Sequence, residues 1–562
     1  VEIFKIKDLS FKYPDTEEKA LNHLSLTIYA GEFVVICGPS GCGKSTLLRL
    51  MKKDLSPFGD TSGDILYVGK SLNDWDEKTL VEDIGFLFQD PDNQIIMEDV
   101  LQEIVFGLEN IGCSNVEMRK RVAELVHTFG YEQLLDKKVS ELSGGQKQIL
   151  NLLSILLLKP KVLLLDEPTS QLDPIAAKDL LLILERLNTE LGITIILVEH
   201  RLEELFDLAD RVMMMDKGDI ACNGTSREVI HAIHQQQDQR FLLYLPAVSL
   251  LYLEKSLDTS MEGIPLNVKH CKAWMSSVSS KISSNVMVSE QKAISNERPI
   301  IELKDVFYQF NKDLPMVLRD LNIQVNTGDF HAIIGGNGSG KTTLLKVCLG
   351  ILKPQRGTVR IFGKKYSKKL GLELYKKIAY IPQNPLTFFV QDSIEKEMYH
   401  IAQERNIKNP ELIITKRLQQ LGINHLRKKH PYDCSGGEIQ KAALACMLME
   451  EPEILFIDEP TKGLDPISKQ QLAKILNQLH LDGITIIMVT HDIEFAAQHA
   501  TTCAMMFNGN ITVEASPEKL FKGNYFYTTT MNRVTQNSDF PEVLTLEEAK
   551  ALWKKEKLFS SL

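Results

Sequence analysis

Three short runs in the first half of the chain are apolar or β-branched at every position: Phe33-Val-Val-Ile-Cys37, Val162-Leu-Leu-Leu165 and Ile193-Thr-Ile-Ile-Leu-Val198. A strand with one wet face alternates apolar and polar residues, so unalternated runs of this length indicate strands buried on both faces. Phe330-His-Ala-Ile-Ile334, Ile454-Leu-Phe-Ile457 and Ile484-Thr-Ile-Ile-Met-Val489 repeat the arrangement in the second half. Helical stretches separate the runs, which predicts an α/β fold with a mainly parallel sheet. Two longer apolar stretches, Ile149–Leu158 and Phe241–Leu253, are broken by Asn151 and Ser154 and by Pro246 and Ser249. Both fall short of the roughly 18 residues a membrane span needs. They predict a core helix and a packed extension.

The halves are related by duplication. Lys44 and Lys341 are 297 residues apart, Gln89 and Gln383 294, Ser143 and Ser435 292, Asp166 and Asp458 292, and His200 and His491 291. Five landmarks in one order with so little drift predict tandem domains. Leu245–Leu257 also aligns with Phe540–Leu552 at an offset of 295, sharing Pro, Val, Leu, Lys and Leu, so each half is expected to end in a short helical extension. The expected division is domain 1 at 1–235 with its extension at 236–258, a linker at 259–297, and domain 2 at 298–525 with its extension at 526–562. The linker assignment rests on nine Ser, four Lys and three Glu with little periodicity.

Composition narrows the class. Of 562 residues, 64 are Lys or Arg and 74 Asp or Glu, a net charge of −10, so there is no general electrostatic footprint for nucleic acid. The nine cysteines contain no C-x-x-C pair, which argues against a zinc ribbon and suits a reducing compartment. Val1–Lys7 lacks a secretory apolar core. With no initiating Met, at least one residue is expected to precede Val1. The chain is expected to be soluble or peripheral.

Gly38-Pro-Ser-Gly-Cys-Gly-Lys-Ser45 and Gly335-Gly-Asn-Gly-Ser-Gly-Lys-Thr342 both match G-x-x-x-x-G-K-[ST], each between a strand and a helix. Glycines let successive N–H groups curl around phosphate oxygens, and the following helix start adds its dipole. Gly38, Ser40, Gly41, Gly43, Lys44, Ser45 and Thr46 form one candidate cradle; Gly335, Asn337, Gly338, Gly340, Lys341, Thr342 and Thr343 form the other. The lysines would reach the β- and γ-phosphates, and Ser45 and Thr342 would hold Mg²⁺. The competing reading is a structural glycine loop. Asp166 and Asp458 end apolar strands and would serve the Mg²⁺ shell, with Glu167 and Glu459 beside them orienting the attacking water. A helix-capping Asp-Glu-Pro turn is the bland alternative. Ser143-Gly144-Gly145-Gln146 and Ser435-Gly436-Gly437-Glu438 precede apolar helices and supply a second anion-binding element in each half.

Together with Gln89, Pro168-Thr169, Leu172-Asp173 and His200, and with Gln383, Pro460-Thr461, Leu464-Asp465 and His491, these motifs resemble the complete set of an ABC-type ATPase domain, present twice. The resemblance covers nearly all of 1–235 and 298–525. It implies two Mg-ATP held by an intramolecular head-to-tail domain pair, each phosphate loop facing the other domain's Ser-Gly-Gly. It further implies that His200 and His491 contact the γ-phosphate and that Gln89 and Gln383 couple Mg²⁺ to transport subunits. Tyr13 and Phe310 would stack on adenine, though a core aromatic is an equally natural reading. Phe88-Gln-Asp-Pro-Asp-Asn-Gln94, followed by Glu103-Ile-Val-Phe-Gly-Leu-Glu-Asn110, resembles the ATPases of energy-coupling factor (ECF) transporters, which take up vitamins and transition-metal ions. That resemblance implies a membrane coupling subunit, a small substrate-capturing membrane subunit and a place at the cytoplasmic face of the membrane. Asp90 and Asp92, with Asp99 and Glu103, are the expected docking charges. The second half departs after Pro385, and Cys434 and Glu438 replace Leu142 and Gln146. The extra negative charge predicts reduced symmetry between the sites.

Two rivals stand beside this reading: the tandem ATPase of a sugar-type importer fed by a binding protein, and a soluble ABC ATPase acting on ribosomes or DNA. The latter usually carries a charged linker or a cysteine-rich insertion, and residues 259–297 show neither.

Overall fold

The computed structural model describes the chain apart from residues 15, 201, 256–260, 279–298, 367–373, 375 and 561–562. It divides into two units, Val1–Asn267 and Val268–Leu562. The described strands of the first unit are β1 (Glu2–Lys12), β2 (Leu21–Tyr29), β3 (Phe33–Cys37), β4 (Asp60–Tyr67), β5 (Lys70–Ser71), β6 (Ile84–Leu87), β7 (Val162–Asp166), β8 (Thr194–Val198), β9 (Arg211–Asp216) and β10 (Asp219–Gly224). One sheet has the order β10-β9-β3-β8-β7-β6, parallel except for the β9–β10 hairpin. Every residue of β3, β7 and β8 is buried, as unalternated runs require.

Register brings the chemistry to one edge. Phe33 pairs with Ile195 and Asp166 with Val198, so β3, β7 and β8 end together. The phosphate loop, Asp166-Glu167 and His200 all leave the sheet there, the carboxyl-end crevice where open α/β sheets bind ligands.

A second sheet, antiparallel with the order β2-β1-β4-β5, escapes the sequence reading. In β1 the register slips between Ile6 and Leu9, and Asp8 takes a positive φ of 49°. The bulge breaks the period-two alternation that would announce a half-buried strand. The helices Val100–Asn110, Asn115–Phe129 and Gly144–Leu156 form a separate cluster around Ile104, Leu108, Val122 and Leu150.

The second unit repeats this plan with β11 (Pro299–Tyr308), β12 (Leu318–Asn326), β13 (Phe330–Ile334), β14 (Arg356–Ile361), β15 (Lys364–Lys365), β16 (Ile378–Ile381), β17 (Ile454–Asp458), β18 (Thr485–Thr490), β19 (Thr502–Phe507) and β20 (Asn510–Ala515). Its sheets run β16-β17-β18-β13-β19-β20 and β12-β11-β14-β15.

The stretch read as linker is partly ordered. Ser249 Oγ donates to Pro265 O at 2.6 Å and Arg227 Nε to Ile264 O at 3.1 Å, fastening that segment to the first unit. Val268–Val278 is a helix of the second unit, with Cys271 and Met275 buried and Trp274 edge-on to Trp553 at 6.0 Å. A serine-rich composition concealed these few apolar anchors; residues 279–297 lie outside the described residues. Among the described residues, no helix is long and apolar enough to cross a membrane.

Candidate functional site

β3 ends at Cys37, and the chain turns through Gly38–Gly43 into the helix Lys44–Leu50. Gly43 has φ +106°, and a Cβ there would lie 2.4 Å from Ala20 O, so only glycine closes this loop. Lys44 is buried, its Nζ donating to Gly38 O at 2.8 Å and Pro39 O at 3.0 Å. Lys341 does the same to Gly335 O (2.8 Å) and Gly336 O (3.1 Å). Each lysine thus stretches its charge along the loop whose glycines would admit a polyphosphate.

Ser45 Oγ donates to Asp166 Oδ1 at 2.8 Å, and Thr342 Oγ1 to Asp458 Oδ1 at 3.2 Å. Burial pushes the Asp166 and Asp458 carboxyls up to about 6, against their Ser45 and Thr342 hydrogen bonds. Asp458 Oδ2 is buried with no hydrogen-bond donor among the described residues. A hydroxyl beside an under-satisfied buried carboxylate is a hard-oxygen donor set, and it fits Mg²⁺.

Next to these aspartates the two glutamates sit in strained backbone, Glu167 at φ +46° and Glu459 at +51°. Non-glycine residues held in that region concentrate at functional sites. Main-chain bonds pin both, Glu167 N to Val198 O (2.9 Å) and Glu459 N to Val489 O (2.8 Å). Their side chains differ. Glu167 accepts from Gln89 Nε2 at 2.7 Å and pairs with His200 Nε2 at 2.8 Å. Glu459 pairs with His491 Nδ1 at 2.7 Å and Lys341 Nζ at 3.5 Å, and also accepts from His491 N at 3.1 Å. Burial raises the Glu459 carboxyl, but the bonds and charges of His491 and Lys341 outweigh it and hold it below the usual range. Gln383 is exposed, with no hydrogen bond to Glu459 among the described residues.

The other expected residues are placed as follows. Ser143 and Ser435 cap the helices Gly144–Leu156 and Gly436–Met447 in reciprocal boxes with Gln146 and Glu438. Glu438 Oε2 accepts from Ser435 N at 2.8 Å and lies 3.6 Å from Lys429, so its charge is engaged locally. Phe310 is exposed and edge-on to Tyr308. The Tyr13 hydroxyl is bonded to Thr46 at 3.0 Å, and its ring packs edge-on against Phe11.

Of the expected docking charges Glu103 needs correction, while Asp90 and Asp92 are exposed. Asp92 is paired with Lys147 at 2.5 Å. Glu103 is buried, accepting from Ile96 N (2.9 Å) and Met97 N (2.7 Å), and so is not a surface charge. Glu397 makes the same pair of bonds to Val390 N (2.7 Å) and Gln391 N (2.8 Å). Their identical spacing after Gln89 and Gln383 was the available signal. Sequence reasoning also passed over Glu199, which is almost fully buried and accepts from Thr169 N (2.8 Å) and His200 N (3.0 Å). No motif marked it, because its counterpart is Thr490.

Comparison with known proteins identifies the family. The family profile described as "ABC transporter" matches residues 21–170 and again 318–462. A "Putative ABC transporter ATP-binding protein" of Bacillus anthracis is 40% identical over 546 residues, 97% of each chain. A "Putative HMP/thiamine import ATP-binding protein" of Bacillus subtilis is 30% identical over 526 residues, 92% of each chain. Among solved structures, cbiO1 of Clostridium perfringens, described as part of the ABC transporter complex cbiONQ, is 35% identical. That likeness covers 42% of this chain and 96% of cbiO1 with a TM-score of 0.37. With the family profile matched in each half over a complete phosphate loop and its Asp-Glu pair, the chain belongs to the ABC transporter ATP-binding proteins and is a tandem ATPase that uses ATP with Mg²⁺.

Proposed function

We propose that the chain is the ATP-hydrolysing subunit of an energy-coupling-factor-type importer, powering uptake of a vitamin or transition-metal ion through separate membrane subunits. The observation that carries this reading is the turn after Gln89. Asp90 accepts from Asp92 N, Gln94 spans Phe88 N and Phe86 O, and Asn151 Nδ2 donates to Pro91 O at 3.0 Å. Asn93 N donates to Asp90 O at 3.2 Å and Asp92 pairs with Lys147, so the Gln-Asp-Pro-Asp-Asn-Gln run that resembles the ECF ATPases is folded against the helix Gly144–Leu156. The thiamine-import name of one relative supports the same class of cargo. On this reading the chain works at the cytoplasmic face of the membrane with a coupling subunit and a small substrate-capturing subunit.

In the proposed chemistry Lys44 and Lys341 bind the β- and γ-phosphoryl oxygens, and the loop N–H groups hold the remainder. Ser45 with Asp166, and Thr342 with Asp458, hold Mg²⁺, which when bound neutralises charge on the polyphosphate. Glu167 and Glu459 orient water for in-line attack, and His200 and His491 hold those carboxylates in place.

The test is purification of the chain in detergent from its native membranes, identification of its integral partners, and reconstitution in liposomes. ATP-dependent uptake of radiolabelled thiamine, riboflavin, biotin, Co²⁺ or Ni²⁺ through two or three small integral partners supports the proposal. Recovery with large permeases that need an extracellular binding protein, or with ribosomes, overturns it.

A further inference from the structure

The two catalytic glutamates have the same backbone placement and different side-chain partners, and one substitution between the repeats accounts for the difference. At the end of β18, His491 donates its main-chain N–H to Glu459 Oε2 (3.1 Å), while the preceding Thr490 hydroxyl accepts from Asp492 N (3.0 Å). Thr490 therefore leaves that N–H to the catalytic carboxylate. At the end of β8 the preceding residue is Glu199, whose carboxylate accepts the His200 N–H at 3.0 Å and the Thr169 N–H at 2.8 Å. A buried carboxylate is a stronger acceptor than a hydroxyl and reaches further. With His200 N engaged by Glu199, Glu167 turns to Gln89 Nε2 at 2.7 Å and to the other ring nitrogen of its histidine, Nε2 rather than Nδ1. Glu459, held by His491 twice, lies 3.5 Å from Lys341.

We propose that Glu199 is a positioning residue that draws the His200 main-chain N–H away from Glu167 and so places Glu167 on Gln89. Glu199 is almost fully buried, and it acts through His200 and through the Thr169 turn that follows Glu167. The consequence is a division of labour. The base of domain 1 is tied to the segment beginning at Gln89, so movement of that segment reaches the carboxylate directly. The base of domain 2 rests against the lysine of its own phosphate loop. The inference rests on the ATPase assignment and is independent of the transport reading.

A double-mutant cycle on the full chain tests it, with Mg-ATP turnover and binding of a fluorescent ATP analogue as readouts. Gln89→Ala should slow turnover severalfold in the parent. In the Glu199→Thr background, where the N–H returns to Glu167, the same change should cost a factor smaller by more than about twofold, the scatter expected of uncoupled sites. Analogue affinity should be similar throughout. Losses that multiply, with Gln89→Ala costing the same factor in both backgrounds, would overturn the proposal, because a merely structural role for Glu199 produces no such coupling. Should Glu199→Thr fail to fold, Thr490→Glu supplies the reciprocal test. It should make turnover more sensitive to Gln383→Ala than it is in the parent, and unchanged sensitivity would overturn the proposal as well.

Discussion

In domain 1 the Glu167 carboxylate is bridged to Gln89 and His200; in domain 2 the Glu459 carboxylate is bridged to Lys341 and His491. Everything beneath these contacts is shared: the strand order, the buried strands, the strained glutamate and the hydroxyl–aspartate pair. The duplication kept the phosphate-loop and Asp-Glu motifs and let the neighbours of the glutamate diverge. Residues that only position a reacting group can therefore change between repeats while the chemistry they serve does not.

The largest contrast expected from this comparison lies in the phosphate loops. A Cβ on Gly43 would meet the main-chain Ala20 O at 2.4 Å, whereas one on Gly340 would meet the flexible Met506 side chain at 2.9 Å and the main-chain Val317 O only at 3.0 Å. Both positions have positive φ, so each alanine carries backbone strain of about 1–2 kcal/mol. Gly43→Ala adds a clash with rigid backbone, and should be the more damaging to thermal stability and ATP binding, by roughly 2 kcal/mol or more. Equal melting temperatures for Gly43→Ala and Gly340→Ala would break the contrast.

A smaller difference should appear on acidification. His331, in the middle of β13, is fully buried, and burial lowers its imidazole to about 4. The corresponding residue of β3 is Val34. A histidine held neutral in the folded state takes up its proton only on unfolding between about pH 6.5 and 4. Its contribution is therefore complete above that window and lost as pH falls through it, by at most about 3 kcal/mol. His331→Val should flatten the fall in melting temperature between pH 7.5 and 5, whatever it does to stability at neutral pH. An unchanged slope would show that His331 does not set the acid sensitivity of this domain.

The smallest effect is expected at Glu438. Sequence alone suggests that its charge disturbs a polyphosphate, yet its carboxylate caps Ser435 N and faces Lys429. Glu438→Gln should therefore alter turnover less than about twofold, in the range of an exposed ion pair. A severalfold gain would restore the charge-repulsion argument.

Legibility followed the chemistry. The parallel sheet was readable because β3, β7 and β8 are buried on both faces and leave unbroken apolar runs. The phosphate loops and Asp-Glu pairs were readable because backbone N–H cradles and hard-oxygen metal sites demand particular residues at fixed spacing. The antiparallel sheet was not, since the bulge at Asp8 scrambles its alternation. Glu103 read as a surface charge because sequence cannot tell a solvated carboxylate from one buried against two N–H groups. Glu199 was invisible for another reason: its proposed role exists only in relation to His200 beside it and Thr169 thirty residues before it.

In the proposed chemistry Glu167 and Glu459 orient water while taking little part in nucleotide binding. Steady-state Mg-ATP turnover and ATP binding of the chain carrying both Glu167→Gln and Glu459→Gln test this most directly. The substitutions keep side-chain shape and remove both carboxylates. Turnover is expected to fall at least about 10²-fold with ATP affinity close to the parent's, as when one key group of a preorganised site is lost. Parental turnover in the doubly substituted chain would contradict the account at its centre.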